Sequence, residues 1–210
     1  PGGGVAAVAW EAQWEEDLAR RLAHAQPANT IRGMFVQALL ERVRALGDEA
    51  LLARALALCG PGPLVELFHY PVRTYLQLLG LLMPSLVARH GGAEAGLRAL
   101  GHQGMARFLA SYTGRMLLTL SGRDPKRMLN HAPMGYRVAT GSTQHALEWL
   151  GPRRCHWRMR EQFMPAPYHE GLLLELLAQG GARDARVVGR QTALVDSEYD
   201  IAWGESEEAR

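Results

Sequence analysis

Lysine is almost absent from this sequence, and no dense basic patch replaces it. The 210-residue chain has Lys126 as its only lysine, while its arginines are interspersed with acids, which leaves a net charge of +2. A nucleic-acid-binding surface needs basic side chains clustered on one face, and the densest arginine run, at residues 153–160, is short and interrupted. We therefore expect no direct binding to nucleic acid.

Cysteine and long apolar runs are scarce as well. Cys59 and Cys155 lie far apart, and neither has a second Cys or a His at metal-binding spacing, which excludes a disulfide framework and a zinc knuckle. A reducing cytoplasm is the expected compartment. The most apolar stretch, LQLLGLLMPSL, is shorter than the roughly 20 residues that cross a bilayer and contains Pro84, so no transmembrane span is expected.

Catalytic motifs are also missing. In MPAPYHEGLLLELL, His169 and Glu170 begin like the His-Glu-x-x-His of zinc hydrolases, but Leu173 stands where the second His would bind the metal. No serine lies in a Gly-x-Ser-x-Gly turn, and no glycine-rich segment ends like a phosphate loop. His169 and Glu170 instead fit the start of a helix, with Glu170 near the positive end of the helix dipole. We predict no metal, no cofactor and no catalytic residue from these motifs.

The first two thirds of the chain have helical periodicity. Apolar residues of IRGMFVQALLERV recur every three or four positions behind a cap at Asn29 or Thr30. Another helix, over residues 71–90, is predicted with a break or kink at Pro84. Glycines, Gly101 among them, separate the remaining predicted helices, which cover 49–58, 93–100, 102–121 and a short segment opened by Asp124 and Pro125.

After about residue 133 the pattern changes to alternation, which predicts β-strands. GYRVATG predicts one strand, and ALEWLGPRRCHWRMREQF predicts a hairpin that bends at its Gly-Pro pair. A helix over 167–179 leads into two more strands, DARVVGRQTAL and SEYDIAW. The aromatic and aliphatic residues of SEYDIAW share one face, as expected for an antiparallel sheet that is covered on one side.

These elements predict an α+β fold. Helices should cover one face of a four-stranded antiparallel sheet, with the C-terminal order strand, strand, helix, strand, strand. Residues 1–28 are expected to form a partly flexible segment with one helix, residues 29–204 a single domain, and residues 205–210 an acidic tail.

Several separated blocks resemble a known family. Together with residues 30–43, the blocks FHYPVRTYLQLL, GLRALG, FLASYTGRMLLTLSGRDPKRML, YRV, FMPAPYHEGLL and GRQTALVDSEYDIAW resemble, in this order, the myxobacterial family called domain of unknown function 2378. The resemblance covers most of the chain. It brings no activity that can be carried over to these residues.

A more distant, fold-level resemblance is to the heme and nitric-oxide binding domains and the 4-vinyl reductase domains. It implies a ligand site in the cleft between a long central helix and the sheet. The heme-binding members use a His in the middle of that helix and a Tyr-x-Ser-x-Arg after the hairpin. Here Gly114, Arg115 and Met116 stand at the ligand position, and His102 lies at the helix start. No Tyr is followed by Ser and Arg at that spacing, so heme is not expected.

Arg115 is the most informative side chain of this predicted helix. It lies among apolar residues on the side expected to face inward, where an unpaired guanidinium would cost several kcal/mol. It is therefore either paired internally with an acid such as Glu170 or Asp196, or held ready for an anionic ligand. Tyr168, next to Glu170, lines the same cleft or packs its helix onto the sheet.

Two functions stay open. The first is a non-enzymatic regulatory module that binds a small molecule or a partner protein through residues of this cleft: Arg115, Tyr112, Tyr168, His169 and Glu170. The second is an enzyme whose site forms only in the fold, from His69, Arg115, Tyr168 and His169. Convergence of polar side chains would favour the enzyme, and an apolar cleft with a paired arginine would favour the module. Either function is compatible with an oligomer.

Overall fold

The computed structural model describes residues 3–141 and 143–204, with side-chain surroundings from residue 13 onward. Helices and a four-stranded antiparallel sheet make the α+β fold that the sequence predicts. The chain divides into two compact units, one ending at Ala93 and the other beginning at Glu94. The single domain predicted over 29–204 stays a prediction, and the predicted acidic tail lies outside the described residues.

The first unit is mostly helical. Its described elements are α1 (Gly3–His24), β1 (Thr30–Arg32), α2 (Gly33–Ala45), α3 (Glu49–Cys59), β2 (His69–Pro71) and α4 (Val72–His90).

The short strands β1 and β2 were not predicted. They form an antiparallel pair in which Thr30 lies opposite Pro71. The predicted helix cap at Asn29 or Thr30 is therefore wrong: α2 begins at Gly33, whose amide donates to the carbonyl of Phe68 at 2.8 Å. The pairing joins segments about 40 residues apart, so local periodicity could not reveal it.

Helix α4 contains the most apolar stretch of the sequence. It continues through Pro84, so the predicted break does not occur there, and the alternative of a kink stays a prediction. Proline removes one hydrogen bond, but the neighbouring Leu82, Met83 and Leu86 are all buried, and this packing holds the helix together. Neither α4 nor another helix among the described residues is long and apolar enough to cross a membrane.

The second unit carries the four-stranded sheet. Its elements are α5 (Ala93–Ala110), α6 (Tyr112–Ser121), α7 (Pro125–Thr140), β3 (Gln144–Gly151), β4 (Arg154–Arg160), α8 (Ala166–Gln179), β5 (Arg183–Ala193) and β6 (Asp196–Gly204). The strand order is β3-β4-β6-β5, and all neighbours are antiparallel. The turn between β3 and β4 falls at the predicted Gly-Pro pair.

Only one face of this sheet is buried. Trp157, Tyr199 and Ile201 are fully buried on that face, whereas Arg158 and Asp200 on the opposite face are exposed. This alternation places α8 over the buried face, beside β5 and β6.

Helix α7 is longer than predicted. The sequence predicted a short helix at residue 125 and a strand at GYRVATG, but one helix spans Pro125–Thr140. Leu129, Ala132, Tyr136 and Ala139 are buried at helical spacing, which outweighs the brief alternation of GYRVATG. The strand prediction is therefore wrong.

Helices α5 and α6 divide at a different residue from the predicted one. Gly101 lies inside α5, and the break falls at Ser111, whose hydroxyl accepts a hydrogen bond from the Gly114 amide at 3.2 Å and so caps α6. The single helix predicted over 102–121 is wrong. This break changes which residues of α6 face inward.

Candidate functional site

Aromatic and imidazole side chains meet where α7 and α8 pack on the sheet. Helix α7 contributes one ring, α8 contributes two, and β3, β4 and β6 contribute one each. Apart from His145, which is half-buried, each of these residues is at most 7% exposed. We call these six residues the Tyr136 cluster: Tyr136, His145, Trp157, Tyr168, His169 and Tyr199.

Tyr136 is the centre of the cluster. Its hydroxyl shares a hydrogen bond of 2.9 Å with Nδ1 of His169 on α8. Its ring centroid lies 4.7 Å from that of His145 and 5.9 Å from that of Trp157. Burial, together with the neighbouring Tyr199 and Tyr168, holds the pKa of Tyr136 well above its ordinary value, so the hydroxyl keeps its proton.

His145 has both ring nitrogens engaged. Nδ1 accepts a hydrogen bond from the Trp157 indole at 3.2 Å, so the proton of the neutral ring is on Nε2, which lies 2.8 Å from the Thr143 hydroxyl. Burial, and then the positive charge of Arg137, lower the pKa of His145 to about 4. The environment of the cluster therefore disfavours a charged imidazole.

The lowered pKa of His145 predicts a pH-dependent stability. The unfolded chain, with a His pKa near 6.5, binds more protons than the folded protein between pH 6.5 and 4. The contribution of His145 is therefore fully present above pH 6.5 and is lost as the pH falls toward 4. From pH 7 to pH 5, the unfolding free energy of the wild type should fall by about 2 kcal/mol more than that of His145→Gln, which lacks the imidazole.

Urea unfolding at the two pH values checks this prediction. Gln144→Asn, an exposed neighbour of His145 that carries no titrating group, is the control and should keep the wild-type difference. Equal pH dependence in His145→Gln and the wild type would contradict the neutral, buried ring.

His169 joins the start of α8 to the sheet, and Tyr168 packs against its ring. Their rings meet edge to face at 5.3 Å, and His169 lies 6.1 Å from the ring of Tyr199 on β6. The hydroxyl of Tyr199 donates to the buried Ser197 hydroxyl at 2.8 Å. The hydroxyl and imidazole groups of these rings are neutral polar groups inside an otherwise apolar layer. Each of them needs a hydrogen-bond partner there.

Glu170 follows the cluster on α8 and is almost fully buried. One carboxylate oxygen accepts a hydrogen bond from the Arg98 guanidinium on α5, and the other accepts one from the Gly189 amide on β5 at 2.7 Å. Glu170 lies beyond the first turn of α8. Its charge is therefore stabilised by these two donors, whereas the sequence suggested the helix dipole.

Two glycines position α8 against α5. A Cβ atom on Gly101 would lie 1.8 Å from the carbonyl oxygen of Tyr168, and one on Gly171 would lie 1.9 Å from that of Arg98. No side chain fits at either position without moving backbone. This close crossing brings Arg98 within reach of Glu170 and fixes the start of α8.

Tyr112 and Arg115 lie outside the Tyr136 cluster. Both are on the exposed side of α6, and the guanidinium of Arg115 donates to the carbonyl of Ala110 at 2.8 Å. The predicted internal pair with Glu170 or Asp196 is wrong, because Arg98 binds Glu170 and because Asp196 accepts a hydrogen bond from the Glu161 amide at 3.2 Å. The helix break at Ser111 explains the error, since periodicity read across it placed Arg115 on the inner side.

His69 belongs to the first unit. It is exposed on β2, and its Nδ1 lies 3.1 Å from the Thr30 hydroxyl. Partial burial and the charge of Arg32 lower its pKa. Among the other residues named for the enzyme alternative, the structure brings Tyr168 and His169 into contact and leaves Arg115 on the surface of α6.

No group of three or more His, Cys, Asp or Glu side chains suited to a metal ion occurs in residues 3–141 and 143–204. At His169 and Glu170, the residue one turn later is Leu173, which is fully buried. Cys155 is buried in β4, and burial raises the pKa of its thiol to about 12, so that thiol stays protonated near neutral pH.

Sequence reasoning missed Tyr136, His145 and Arg98. Tyr136 would have been found if the apolar spacing of LNHAPMGY had been taken to continue the helix from residue 125. Arg98 acts through Glu170, which is 72 residues away in the chain, and His145 meets Tyr136 and Trp157 only through the packing of α7 and the pairing of β3 with β4. No local pattern identifies such a contact.

Solved structures define the class of fold. The Fe(II) unliganded H-NOX protein from K. algicida has a TM-score of 0.65 with 16% identity, over 84% of this chain and 98% of that one. An H-NOX protein from S. oneidensis in the Fe(II)NO ligation state has a TM-score of 0.60 with 12% identity, over 83% of this chain and 100% of that one. The H-NOX from Shewanella woodyi bound to IWP-051 has a TM-score of 0.58 with 14% identity, over 83% of this chain and 95% of that one. This chain has an H-NOX-like fold.

Within that fold class the chain belongs to the family described as "Protein of unknown function (DUF2378)", whose model matches residues 24–204. The family resemblance of the sequence blocks is thereby confirmed. No curated protein sequence matches the chain.

The residues present do not fit the heme ligation that the fold-level resemblance implies. Residues 161–165, between β4 and α8, include the buried Phe163 and Met164 and contain no part of a Tyr-x-Ser-x-Arg clamp. Position 115, where the axial His is expected, is an exposed arginine, and the ring of His102 is held 2.8 Å from the carboxylate of Glu175.

Proposed function

We propose that this chain is a non-enzymatic regulatory module that binds a small polar molecule without net charge at the Tyr136 cluster. The observation that carries the proposal is the burial of hydroxyl and imidazole groups in one place, between two helices and a sheet. Burying such groups costs stability that apolar residues would not cost. They hydrogen-bond to one another or to neighbouring side chains, and a small ligand would take over such bonds, above all the one between Tyr136 and His169.

The chemistry of the cluster supports an uncharged ligand. The same burial raises the pKa of Tyr136 and lowers that of His145, so it disfavours an anion as well as a cation. The likeness to H-NOX structures supports a ligand-binding module only at the level of fold. The free Cys59 and Cys155 support a reducing cytoplasm as the place where it acts.

Native mass spectrometry of the purified full chain tests this function. We expect a fraction of the protein to retain a small molecule, and Tyr136→Phe to lower that fraction roughly ten-fold, the loss of one recognition hydrogen bond to a buried site. Tyr112→Phe removes a hydroxyl from the exposed face of α6 and should retain the wild-type fraction.

Two results would contradict the proposal. One is a wild-type mass equal to that of the chain alone, with no rise in melting temperature when the protein is mixed with a fractionated metabolite extract. The other is equal retention by Tyr136→Phe. Conversion of the retained molecule into a product would favour the enzyme alternative, and His169→Gln would then abolish turnover.

A further inference from the structure

The outer face of α6 is apolar although it faces solvent. Tyr112, Met116 and Leu120 are 74%, 50% and 62% exposed and follow each other at intervals of four residues, so they form one stripe. The inner side of the same helix is formed by Gly114, Leu117 and Ser121, which are buried. The fold therefore does not need the outer stripe, and exposed apolar stripes of this kind mark interaction surfaces.

The chain around this stripe is strongly basic. From Tyr112 to Arg127, the segment that holds α6 and the start of α7 contains four arginine or lysine side chains and one acid, Asp124, a net charge of +3. The carboxylate of Asp124 caps α7 by accepting the Arg127 amide at 2.9 Å. Arg115, Arg123 and Arg127 are exposed on α6 or just after it.

The dimensions and residue types indicate the class of partner. From Tyr112 to Leu120 the stripe spans nine residues, a rise of about 12 Å along the helix, which matches about two turns of a second helix packed against it. Tyrosine, methionine and arginine are enriched at protein interfaces. A membrane surface would call for a wider apolar face with several large side chains, and polar Thr113 and Thr119 border this stripe.

We propose that the stripe of Tyr112, Met116 and Leu120 is the docking surface for an acidic amphipathic helix of a partner protein. The apolar side of that helix packs on the stripe, and its acidic flanks face Arg115, Arg123 and Arg127. This surface goes beyond the small-molecule function proposed for the Tyr136 cluster and does not depend on it.

A displayed peptide library tests the surface directly. The library holds 22-residue amphipathic helices with a fixed Leu stripe and flanking positions randomised among Asp, Glu, Lys, Arg, Gln and Ser. It is selected on the immobilised full chain and counter-selected on the double variant Met116→Ser and Leu120→Ser. Selected peptides are expected to be rich in Asp and Glu and to bind the wild type roughly ten-fold or more tightly than the double variant in fluorescence anisotropy.

Matched variants separate the surface from general stickiness. Val188→Ser removes an exposed apolar side chain from the outer face of β5 and should leave peptide binding unchanged. Arg115→Glu together with Arg123→Glu should weaken the acidic peptides roughly ten-fold and favour basic ones. These side chains are exposed, so all variants should keep the wild-type melting temperature, which confirms that they fold.

Three results would overturn the proposal. The first is selection of neutral or basic peptides, and the second is equal binding to the wild type and the double variant. The third comes from sedimentation with phosphatidylserine vesicles: wild-type binding that Met116→Ser abolishes, without any selected peptide, would make the stripe a membrane surface.

Discussion

Gly101→Ala is expected to lower the free energy of unfolding by roughly 3 kcal/mol or more, or to prevent folding of the second unit. The added Cβ would lie 1.8 Å from the carbonyl oxygen of Tyr168, a backbone atom that cannot move without displacing the start of α8. Because Tyr168 and His169 belong to that turn, the Tyr136 cluster should be disturbed along with the helix crossing.

Chemical unfolding of matched glycine variants measures this effect. Gly92→Ala adds the same methyl group where no atom lies within 4 Å, so it should change stability little. Gly171→Ala separates the same two helices from the other side, since its Cβ would lie 1.9 Å from the Arg98 carbonyl oxygen. The variant that carries both Gly101→Ala and Gly171→Ala should therefore lose less unfolding free energy than the sum of the losses in the two single variants. Equal stability of Gly101→Ala and Gly92→Ala would show that the helices are not in close contact.

Arg98→Ala is expected to lower the free energy of unfolding by about 2 kcal/mol, because it leaves the buried Glu170 carboxylate with the Gly189 amide as its remaining described donor. The figure is below the usual cost of breaking a buried pair, since the Arg98 side chain is 42% exposed and water reaches it. Glu170→Gln in the Arg98→Ala background should recover part of the loss, because no uncompensated charge is then buried.

An exposed ion pair provides the control. Arg158 and Glu148 lie 3.4 Å apart across β3 and β4, with side chains 51% and 59% exposed. Arg158→Ala should cost no more than about 0.5 kcal/mol. If Arg98→Ala and Arg158→Ala had the same small effect in urea unfolding, the contact between Arg98 and Glu170 would not hold α5 to α8.

The parts of the fold that the sequence predicts are those with strong local signals. The β3–β4 hairpin has a Gly-Pro turn between two alternating segments, and α8 lies between prolines and a pair of glycines, so both were placed correctly. The β1–β2 pair and the full length of α7 were missed. The first depends on pairing between distant segments, and the second depends on Tyr136 packing against the sheet.

The candidate site was harder to predict for a related reason. Tyr168, His169 and Glu170 were selected as neighbours of a helix start, and all three are buried there, although their partners were not foreseen. Arg115 was predicted to face the interior because the helical period was continued through residue 111. Ser111 instead caps a new helix at that point, which places Arg115 on the outer side. A single break of this kind changes the facing of every later residue in a helix, and composition gives little warning of it.

The hydrogen bond between Glu170 and the Gly189 amide also bears on how the chain behaves at high concentration. Strand β5 is at the edge of the sheet, where backbone amides that do not pair with β6 are open to strands of other molecules. The Glu170 carboxylate occupies one of these amides near the middle of β5 and places a negative charge beside it. The carboxylate thereby keeps a strand of another molecule from pairing at this amide, and we expect Glu170→Ala to increase self-association even where the fold survives.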